Sequence, residues 1–205
     1  MPALTEARLT LLRRRIAQAG EPARTAAADE PRASVPFGEF GTAERRMWRI
    51  YELDPESVSH NIGLVLQFGG TRTLRSVVDS AELLVERFGV LRSVVEVDNA
   101  GTPRRRVVSH AGSWDASGTV WTWGLPDAEA TGPVDDADAI ATSLTRTPFD
   151  LTSDVPLRLR VSGSDGDVTM ILVVHHLAVD DTSWPLLLGT LVSGSWPGDV
   201  TADSR

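Results

Sequence analysis

The residues best suited to chemistry are two adjacent histidines followed by acidic and hydroxyl side chains. His175 and His176 end a run of aliphatic residues, and Asp180, Asp181 and Ser183 come directly after it. Imidazole exchanges protons near neutral pH and is the commonest general acid or base in enzymes. Side chains alternate across a strand, so we expect His175 and His176 to face opposite sides of a sheet. By residue type alone, such a pair is more typical of structural histidines than of an active site.

The composition excludes several other kinds of chemistry. The chain has 205 residues, a net charge of −8 and no cysteine, and all 20 of its basic residues are arginine. Disulfides, thiolate nucleophiles, cysteine zinc sites, Schiff-base lysines and the lysine of a P-loop are therefore excluded. The acidic balance argues against nucleic acid as a partner. Because no apolar run is long enough for a bilayer and no signal sequence is visible, we expect no membrane contact and a cytoplasmic protein.

Helix and strand patterns alternate along the chain. Apolar spacing predicts helices of about a dozen residues from Thr42, from Thr73 to Phe88, over 137–144 and over 183–192. Strands are predicted at 61–68, 93–97, 104–108, 120–123, 156–161 and 168–175. The last of these is almost wholly aliphatic, which favours a central strand buried on both faces. The predicted fold class is therefore an α/β or α+β sandwich, with a sheet packed against helices.

Composition divides the chain into three parts. Residues 1–33 are predicted to hold a basic helix, over 4–19, and a linker rich in proline and small residues. Residues 34–193 carry the helix and strand patterns and form the predicted folded domain. Residues 194–205 are a polar tail.

The motif His-His-x-x-x-Asp at 175–180 resembles the signature of condensation domains of nonribosomal peptide synthetases. Chloramphenicol acetyltransferase belongs to the same wider superfamily. Other blocks resemble the same family in the same order: Gly41–Trp48, Leu53–Ser57, Asn61–Ile62, Arg87 with Leu91 and Arg92, Pro148–Leu151 and Pro156–Arg158. The resemblance spans about 34–195. It implies a chloramphenicol acetyltransferase-like single lobe with a mixed sheet, the N-terminal half of a two-lobed cleft.

The resemblance also implies a role for each residue of the motif. His176 would be the catalytic residue, accepting a proton from an amine or orienting it. Asp180 would be structural and would pair with Arg92 to hold the loop, and His175 would support His176 from behind. Ser183 would lie at the start of the next helix, whose N–H groups could help to bind developing negative charge.

Three positions depart from the family pattern. Asp181 stands where glycine is usual; its carboxylate would bind a cationic acceptor, favour the protonated form of His176, or distort the loop. Phe88 and Gly89 replace a usual His-Glu pair. Glu44 replaces a glutamine, and these changes fit either sequence drift or a new partner surface.

The resemblance implies amide-bond formation between a carrier-bound acyl thioester and a small-molecule amine. The phosphopantetheine arm of an acyl or peptidyl carrier protein would bring the thioester, and no cofactor or metal would be bound permanently. The second half of the cleft would come from a homodimer, a partner protein or a reshaped single-lobe pocket. Two alternatives remain open: a non-catalytic module that recruits a carrier protein or completes a partner's fold, and acyl transfer from coenzyme A to a hydroxyl group.

Three other polar features rank lower as sites. His60 and His110 have no obvious partners and are expected to be surface or structural residues. Arg104, Arg105 and Arg106 alternate across a predicted strand. Charge that protects an edge strand explains them at least as well as docking of an acidic carrier protein.

Overall fold

The computed structural model of the chain describes residues 38–125 and 136–195. The first half of the fold runs through helix α1 (Thr42–Leu53), strand β1 (Asn61–Gly69), helix α2 (Leu74–Arg87), a 3-10 turn (Gly89–Arg92) and strands β2 (Ser93–Val97) and β3 (Pro103–Val107). The second half contains strands β4 (Ser113–Trp114) and β5 (Val120–Trp123), helix α3 (Ala137–Arg146), strands β6 (Leu157–Ser164) and β7 (Asp167–His175), and helix α4 (Trp184–Ser193).

The strands form one large and one small sheet. The large sheet has the order β1-β7-β6-β5-β4, and β2 pairs with β3 separately. β7 therefore lies between β1 and β6, and it is buried along most of its length, as its aliphatic sequence predicts. The α+β fold class is confirmed, but all described strand pairs are antiparallel, so the expected mixed sheet is corrected. A tight turn joins β6 to β7, with Gly166 at a φ of 82°, and such a turn can connect only antiparallel strands.

Helices cover both faces of the large sheet. On one face α2 and α4 pack on a core that includes Leu159, Leu172 and Val174. On the other face α1 and α3 enclose a second core around Trp48, Phe149 and Val173 and their neighbours. Because alternate residues of β7 enter opposite cores, the strand is held from both sides up to its last residue.

The helices begin where the sequence provides capping groups. The Thr73 side chain accepts a hydrogen bond from the Ser76 backbone N–H, and the Ser76 hydroxyl accepts one from the Thr73 N–H in return. For α1 the predicted cap at Thr42 is one residue late, because Gly41 is the N-cap and the Glu44 carboxylate accepts from its N–H at 2.7 Å. This contact gives Glu44 a structural role inside the domain.

The arginine triplet on β3 is paired with nearby acidic side chains. Arg104 lies 3.8 Å from Asp98, and Arg106 pairs with Glu96. Arg105 points inward, where it pairs with Glu44 and lies over the Phe40 ring. These contacts favour the structural explanation of the triplet over a docking site.

No helix in the described ranges is long and apolar enough to cross a membrane. The predicted basic helix and linker at 1–33 and most of the polar tail at 194–205 lie outside the described residues. The division of the chain into these three parts therefore stays a prediction.

Candidate active site

The two histidines at the end of β7 have opposite environments. His175 is the last residue of the strand and is 3% exposed, whereas His176 is the first residue of the following loop and is exposed. The expected separation of the two side chains is therefore present. One imidazole belongs to the core, and the other is available to a substrate.

His175 is enclosed by aromatic rings. The rings of Tyr51 and Phe149 meet it edge-on, with centroids 6.2 and 6.1 Å away. Burial lowers its pKa to about 4, with smaller contributions from the positive charges that His60 and His176 can carry. The imidazole is thus neutral at pH 7, and its Nδ1 accepts a hydrogen bond from the Leu177 backbone N–H at 3.1 Å.

The orientation of His176 is set by its own loop. Its Nδ1 lies 2.6 Å from the carbonyl oxygen of Val179. A carbonyl oxygen can only accept, so Nδ1 must carry the hydrogen, and Nε2 of the neutral ring keeps the free lone pair. The backbone N–H of His176 donates to the carbonyl of His60 at 2.9 Å, which ties the start of the loop to the residue before β1.

Two apolar residues anchor the loop to the two cores. Leu177 is buried in the core that contains Phe149, and Val179 is buried in the core on the opposite face of the sheet. The N–H of Ala178 also donates to the carbonyl of His175 at 2.9 Å. The backbone that carries His176 is therefore fixed by packing on both sides, although its imidazole is exposed.

Asp180 holds the second half of the loop, but its partners differ from the prediction. Its Oδ1 accepts hydrogen bonds from the backbone N–H and the hydroxyl of both Thr182 and Ser183, at 2.7–3.1 Å. These bonds, that from the Ser183 hydroxyl first, lower the pKa of Asp180, so the carboxylate is ionised at neutral pH.

The expected ion pair between Asp180 and Arg92 is absent from the described residues, and that prediction is corrected. Arg92 ends the 3-10 turn, and its buried Nε has no hydrogen-bond partner among them. The physical reason is local: an aspartate that is followed within three residues by two hydroxyl residues satisfies its carboxylate in an Asx turn.

Ser183 lies at the N-cap of α4, where the sequence predicts the start of the helix. Its N–H and hydroxyl both donate to Asp180, and Pro185 in the first turn has no N–H to offer. The carboxylate of Asp180 therefore already occupies the electropositive end of the helix. This arrangement argues against the predicted use of these N–H groups to bind negative charge on a substrate.

Asp181 is exposed beside the Asp180 turn. Its carboxylate makes no hydrogen bond or ion pair with another described residue. The carboxylate of Asp180 therefore has a structural role in the loop, whereas that of Asp181 is available to bind a ligand.

Sequence reasoning missed His60 as a member of this site. Its ring centroid lies 6.1 Å from that of His175, its carbonyl binds the N–H of His176, and its Nδ1 is 3.1 Å from the Ser59 hydroxyl. Only the strand pairing shows its place, and no sequence motif does: Asn61 pairs with His175, so the residue before β1 lies beside the residue after β7. The other lower-ranked histidine, His110, instead packs on Trp123 and accepts from the Gly124 N–H.

His176, Asp180 and Asp181 are exposed at the surface of the described part of the chain. A small concavity next to the loop is lined by Val95, Leu177 and Ala178 among others, but not by His176, Asp180 or Asp181. No group of three histidine, aspartate or glutamate side chains in the described ranges is arranged to hold a metal ion.

Solved structures with a similar fold define the class of fold. One is the first condensation domain of the calcium-dependent antibiotic synthetase, with a TM-score of 0.55 and 23% identity. The match covers 78% of this chain and 38% of that chain. A starter condensation domain of rhizomide synthetase matches with a TM-score of 0.55 and 15% identity, over 77% of this chain and 36% of that one. This chain therefore has the fold of one lobe of a condensation domain, which confirms the predicted fold.

The sequence shows the family as well as the fold. The Condensation domain family matches residues 41–194, and the chain belongs to this family. It is 30% identical over its whole length to the AMB antimetabolite synthetase AmbB of Pseudomonas aeruginosa. It is 29% identical over 71% of its length to the phosphinothricin tripeptide synthetase PhsC of Streptomyces viridochromogenes. The matches span only 16% and 13% of these two relatives, which are much longer proteins.

Proposed function

We propose that this chain is a half-size condensation enzyme that joins a carrier-bound acyl thioester to an amine acceptor and releases an amide. The observation that carries the proposal is the exposed imidazole of His176, whose Nδ1 is bound to the Val179 carbonyl so that Nε2 is free. Membership of the Condensation domain family supports the reaction class. The proposed setting is specialised peptide biosynthesis in the cytoplasm.

In the proposed reaction the acceptor amine is the nucleophile. Its nitrogen attacks the thioester carbonyl, and His176 Nε2 accepts the proton that the nitrogen loses. When the tetrahedral intermediate collapses, the C–S bond breaks, and the proton passes from His176 to the departing thiolate. The products are an amide and a free thiol on the carrier arm. No enzyme nucleophile is required, which agrees with a chain that has neither cysteine nor lysine.

The loop contributes by holding His176 in place. Base catalysis by a positioned side chain is worth about 10²–10⁴ in rate, and alignment of two reactants can contribute more. Leu177 and Val179 anchor the backbone after His176 in the cores on opposite faces of the sheet, and Asp180 closes the loop. We therefore assign the larger part of the rate enhancement to positioning.

The proposed partners follow from the exposed position of His176 on a single lobe. The described lobe offers one wall of a cleft, and we propose that the second wall is supplied by a further segment of polypeptide, by another copy of the chain or by a partner protein. The thioester would be presented on the phosphopantetheine arm of a carrier protein, and the enzyme would hold no cofactor of its own.

Asp181 is proposed to select the acceptor. It is exposed in the loop that carries His176. The N–H of Ser183 at the start of α4 already donates to Asp180, so Asp181 is not needed there. A free carboxylate at this position favours an acceptor with a positive charge in addition to the reacting amine. Asp181→Gly should raise KM for a diamine acceptor and leave KM for a matched monoamine unchanged. Equal KM changes for both acceptors would disprove this role.

The test of the proposed function is product formation from a loaded carrier. The full chain is incubated with an acyl-loaded carrier protein and candidate amines, and amide is followed by mass spectrometry for wild type, His176→Ala and His110→Gln. We expect amide from wild type and His110→Gln, and about 10²-fold less or none from His176→Ala. His110→Gln is the matched control because the Gln side chain can still accept from the Gly124 N–H.

The two alternative functions give different results in the same assay. Product from coenzyme A thioesters and a hydroxyl acceptor, with none from the loaded carrier, would show an acetyltransferase-like enzyme. Equal product from wild type and His176→Ala would contradict catalysis by His176. Carrier binding without any product would show a non-catalytic recruitment module.

A further inference from the structure

Helix α4 is apolar on all sides, in contrast to the other described helices. Its sequence from Trp184 to Ser193 has no charged residue, whereas α1, α2 and α3 each carry charged side chains on their outer faces. A helix that is hydrophobic all round is normally covered on both sides. The inner side of α4 packs on α2 through Leu187, Thr190 and Leu191, which are all buried.

The outer side of α4 has no covering element among the described residues. Three uncharged residues follow one another along this side of the helix: Pro185 is exposed, Gly189 is half-exposed, and Val192 is 63% exposed. Leu188 extends the same patch at its side and is half-buried. We call these four residues the α4 outer face. At its middle, Gly189 has no atom within 4 Å of the place where a Cβ would lie, so another backbone can approach closely there.

The two ends of this face have opposite charges. Asp181 lies just before the helix and has no partner among the described residues. At the other end the Arg72 guanidinium lies between the C-terminus of α4 and helix α2. It donates to the carbonyls of Leu191 and Val192 at 3.3 and 3.4 Å, and to the Ser76 carbonyl and the Ser80 hydroxyl of α2 at 3.2 and 2.7 Å. Ten helical residues separate the two ends, a length of about 15 Å.

We infer that the α4 outer face pairs with the same face of a second copy of this chain, with the two helices antiparallel about a two-fold axis near Gly189. In such a pair each residue meets its own symmetry mate or a residue at the other end of the partner helix. The uncharged centre can therefore meet itself without repulsion. At the ends, Asp181 would lie beside Arg72 of the partner subunit in both directions.

The charge pattern favours a second copy over a different protein. An acidic or basic partner would gain nothing at the centre of the face and would be repelled at one of its two ends. An antiparallel copy is attracted at both ends, and Gly189 permits the close backbone contact that a crossing of two helices needs. The four residues of the α4 outer face lie outside the loop that carries His176, and only Asp181, at the end of the proposed contact, belongs to that loop. The contact at Gly189 and Val192 therefore does not depend on the proposed chemistry.

The experiment is the measurement of mass and self-association of the full chain by light scattering and sedimentation equilibrium. We expect the wild type to form a dimer of twice 22.1 kDa at micromolar concentration. Gly189→Gln places a side chain at the proposed axis and should raise the dimer dissociation constant about tenfold or more. This substitution leaves the fold intact, because its Cβ meets no atom and glutamine is a better helix former than glycine.

Two further variants separate this surface from general hydrophobicity. Val192→Glu should also dissociate the dimer, whereas Leu53→Glu, on the most exposed large apolar residue of α1, should leave it unchanged. Asp181→Arg should raise the dissociation constant about two- to thirtyfold, as expected for loss of two exposed ion pairs per dimer.

Several results would overturn the inference. A monomeric wild type at about 100 μM would do so, and so would a dimer that Gly189→Gln and Val192→Glu leave intact. Dissociation of the dimer by Leu53→Glu alone would show that the interface includes α1 and not the α4 outer face. None of these results decides whether His176 is catalytic, so the inference and the proposed function fail separately.

Discussion

The two ends of the histidine motif stabilise the protein in different ways. Around His175 the side chains are buried or half-buried, and the rings of Tyr51 and Phe149 and the amide of Asn61 bring distant segments together. From His176 to Ser183 the polar side chains are exposed or half-exposed, and their hydrogen bonds join residues that are at most three positions apart. The first region is therefore part of the global fold. The second is a local turn structure whose side-chain hydrogen bonds join only neighbouring residues.

The buried region around His175 therefore supports the site, and the exposed region from His176 to Ser183 carries the side chains proposed for its chemistry. The buried region fixes where β7 ends, because Arg158 binds the carbonyls of Leu144, Thr147 and Pro148 and stacks 3.7 Å from the centroid of Phe149. Phe149 in turn contacts His175. The polar side chains of the exposed region bind only neighbouring residues, so they can differ while Leu177 and Val179, buried in the two cores, keep the backbone in place.

The largest expected effect is loss of stability when Arg158 is replaced by methionine. Its guanidinium is 1% exposed and caps the C-terminus of α3. The substitution keeps most of the volume but removes a buried donor from three carbonyl oxygens. That of Pro148 has no other donor among the described residues, whereas that of Thr147 keeps the Asn61 amide and that of Leu144 keeps the Thr147 N–H. We expect the free energy of unfolding to fall by about 3–5 kcal/mol, measured by urea denaturation at pH 7.

Arg106→Met is the matched control for this prediction. Arg106 is exposed and pairs with Glu96 at the surface, so we expect a loss of about 1 kcal/mol or less. Similar losses for both variants would contradict the view that the buried region holds the global fold.

The second prediction concerns the pH dependence of stability at His175. Its pKa is about 4 in the folded protein, below the ordinary value of 6.5, so the folded state prefers the neutral ring. The stability due to this preference is complete above pH 6.5 and is lost as the pH falls towards 4. We expect the wild type to lose about 2–3 kcal/mol between pH 7 and 4.5 from this group. His175→Asn keeps an acceptor for Leu177 and should remove most of that loss.

Urea denaturation at pH 7, 5.5 and 4.5 measures this effect. The range lies above the ordinary carboxylate pKa, so Asp150 and Asp180, whose values are lowered in the folded protein, contribute little there. The same loss in wild type and in His175→Asn would assign the acid sensitivity to other groups.

The third prediction concerns the local structure of the loop. Asp180→Ala removes the acceptor for Thr182 and Ser183 and should lower the free energy of unfolding by about 1–2 kcal/mol, the usual cost of a lost helix cap. Because the turn that orients His176 is loosened, we expect amide formation to fall about 10²-fold. Asp180→Asn keeps one oxygen acceptor and should retain most of both properties. A large loss of activity in Asp180→Asn would show that the charge, not the turn, is required.

The comparison of the two regions also explains which parts could be predicted from sequence. The aliphatic run of β7, the periodic apolar face of α2 and the turn before β7 are local patterns, and each appears where it was expected. The placement of His176 at the end of a buried strand follows from the same patterns. The Condensation domain fold was accessible because several short blocks occur in the order of the family.

The contacts between distant segments could not be predicted in the same way. His60 reaches the site only because β1 pairs with β7, more than 100 residues later, and nothing in its neighbours indicates this. Arg158 lies on a strand whose alternation gave no sign of a buried cation. For Asp180 the error was the opposite: a long-range ion pair was expected, although two hydroxyl residues next to it were sufficient.

The smallest expected effect is the coupling between Asp180 and Arg92, which were expected to form an ion pair. A double-mutant cycle with Asp180→Ala and Arg92→Met measures the coupling energy between the two side chains in urea denaturation. Since Asp180 binds Thr182 and Ser183 instead, we expect the two changes to be additive within about 0.5 kcal/mol. Arg92→Met keeps the apolar stem, so the cycle reports the charge. A coupling of about 1 kcal/mol or more would show that the ion pair forms in solution and that the loop is tied to the global fold after all.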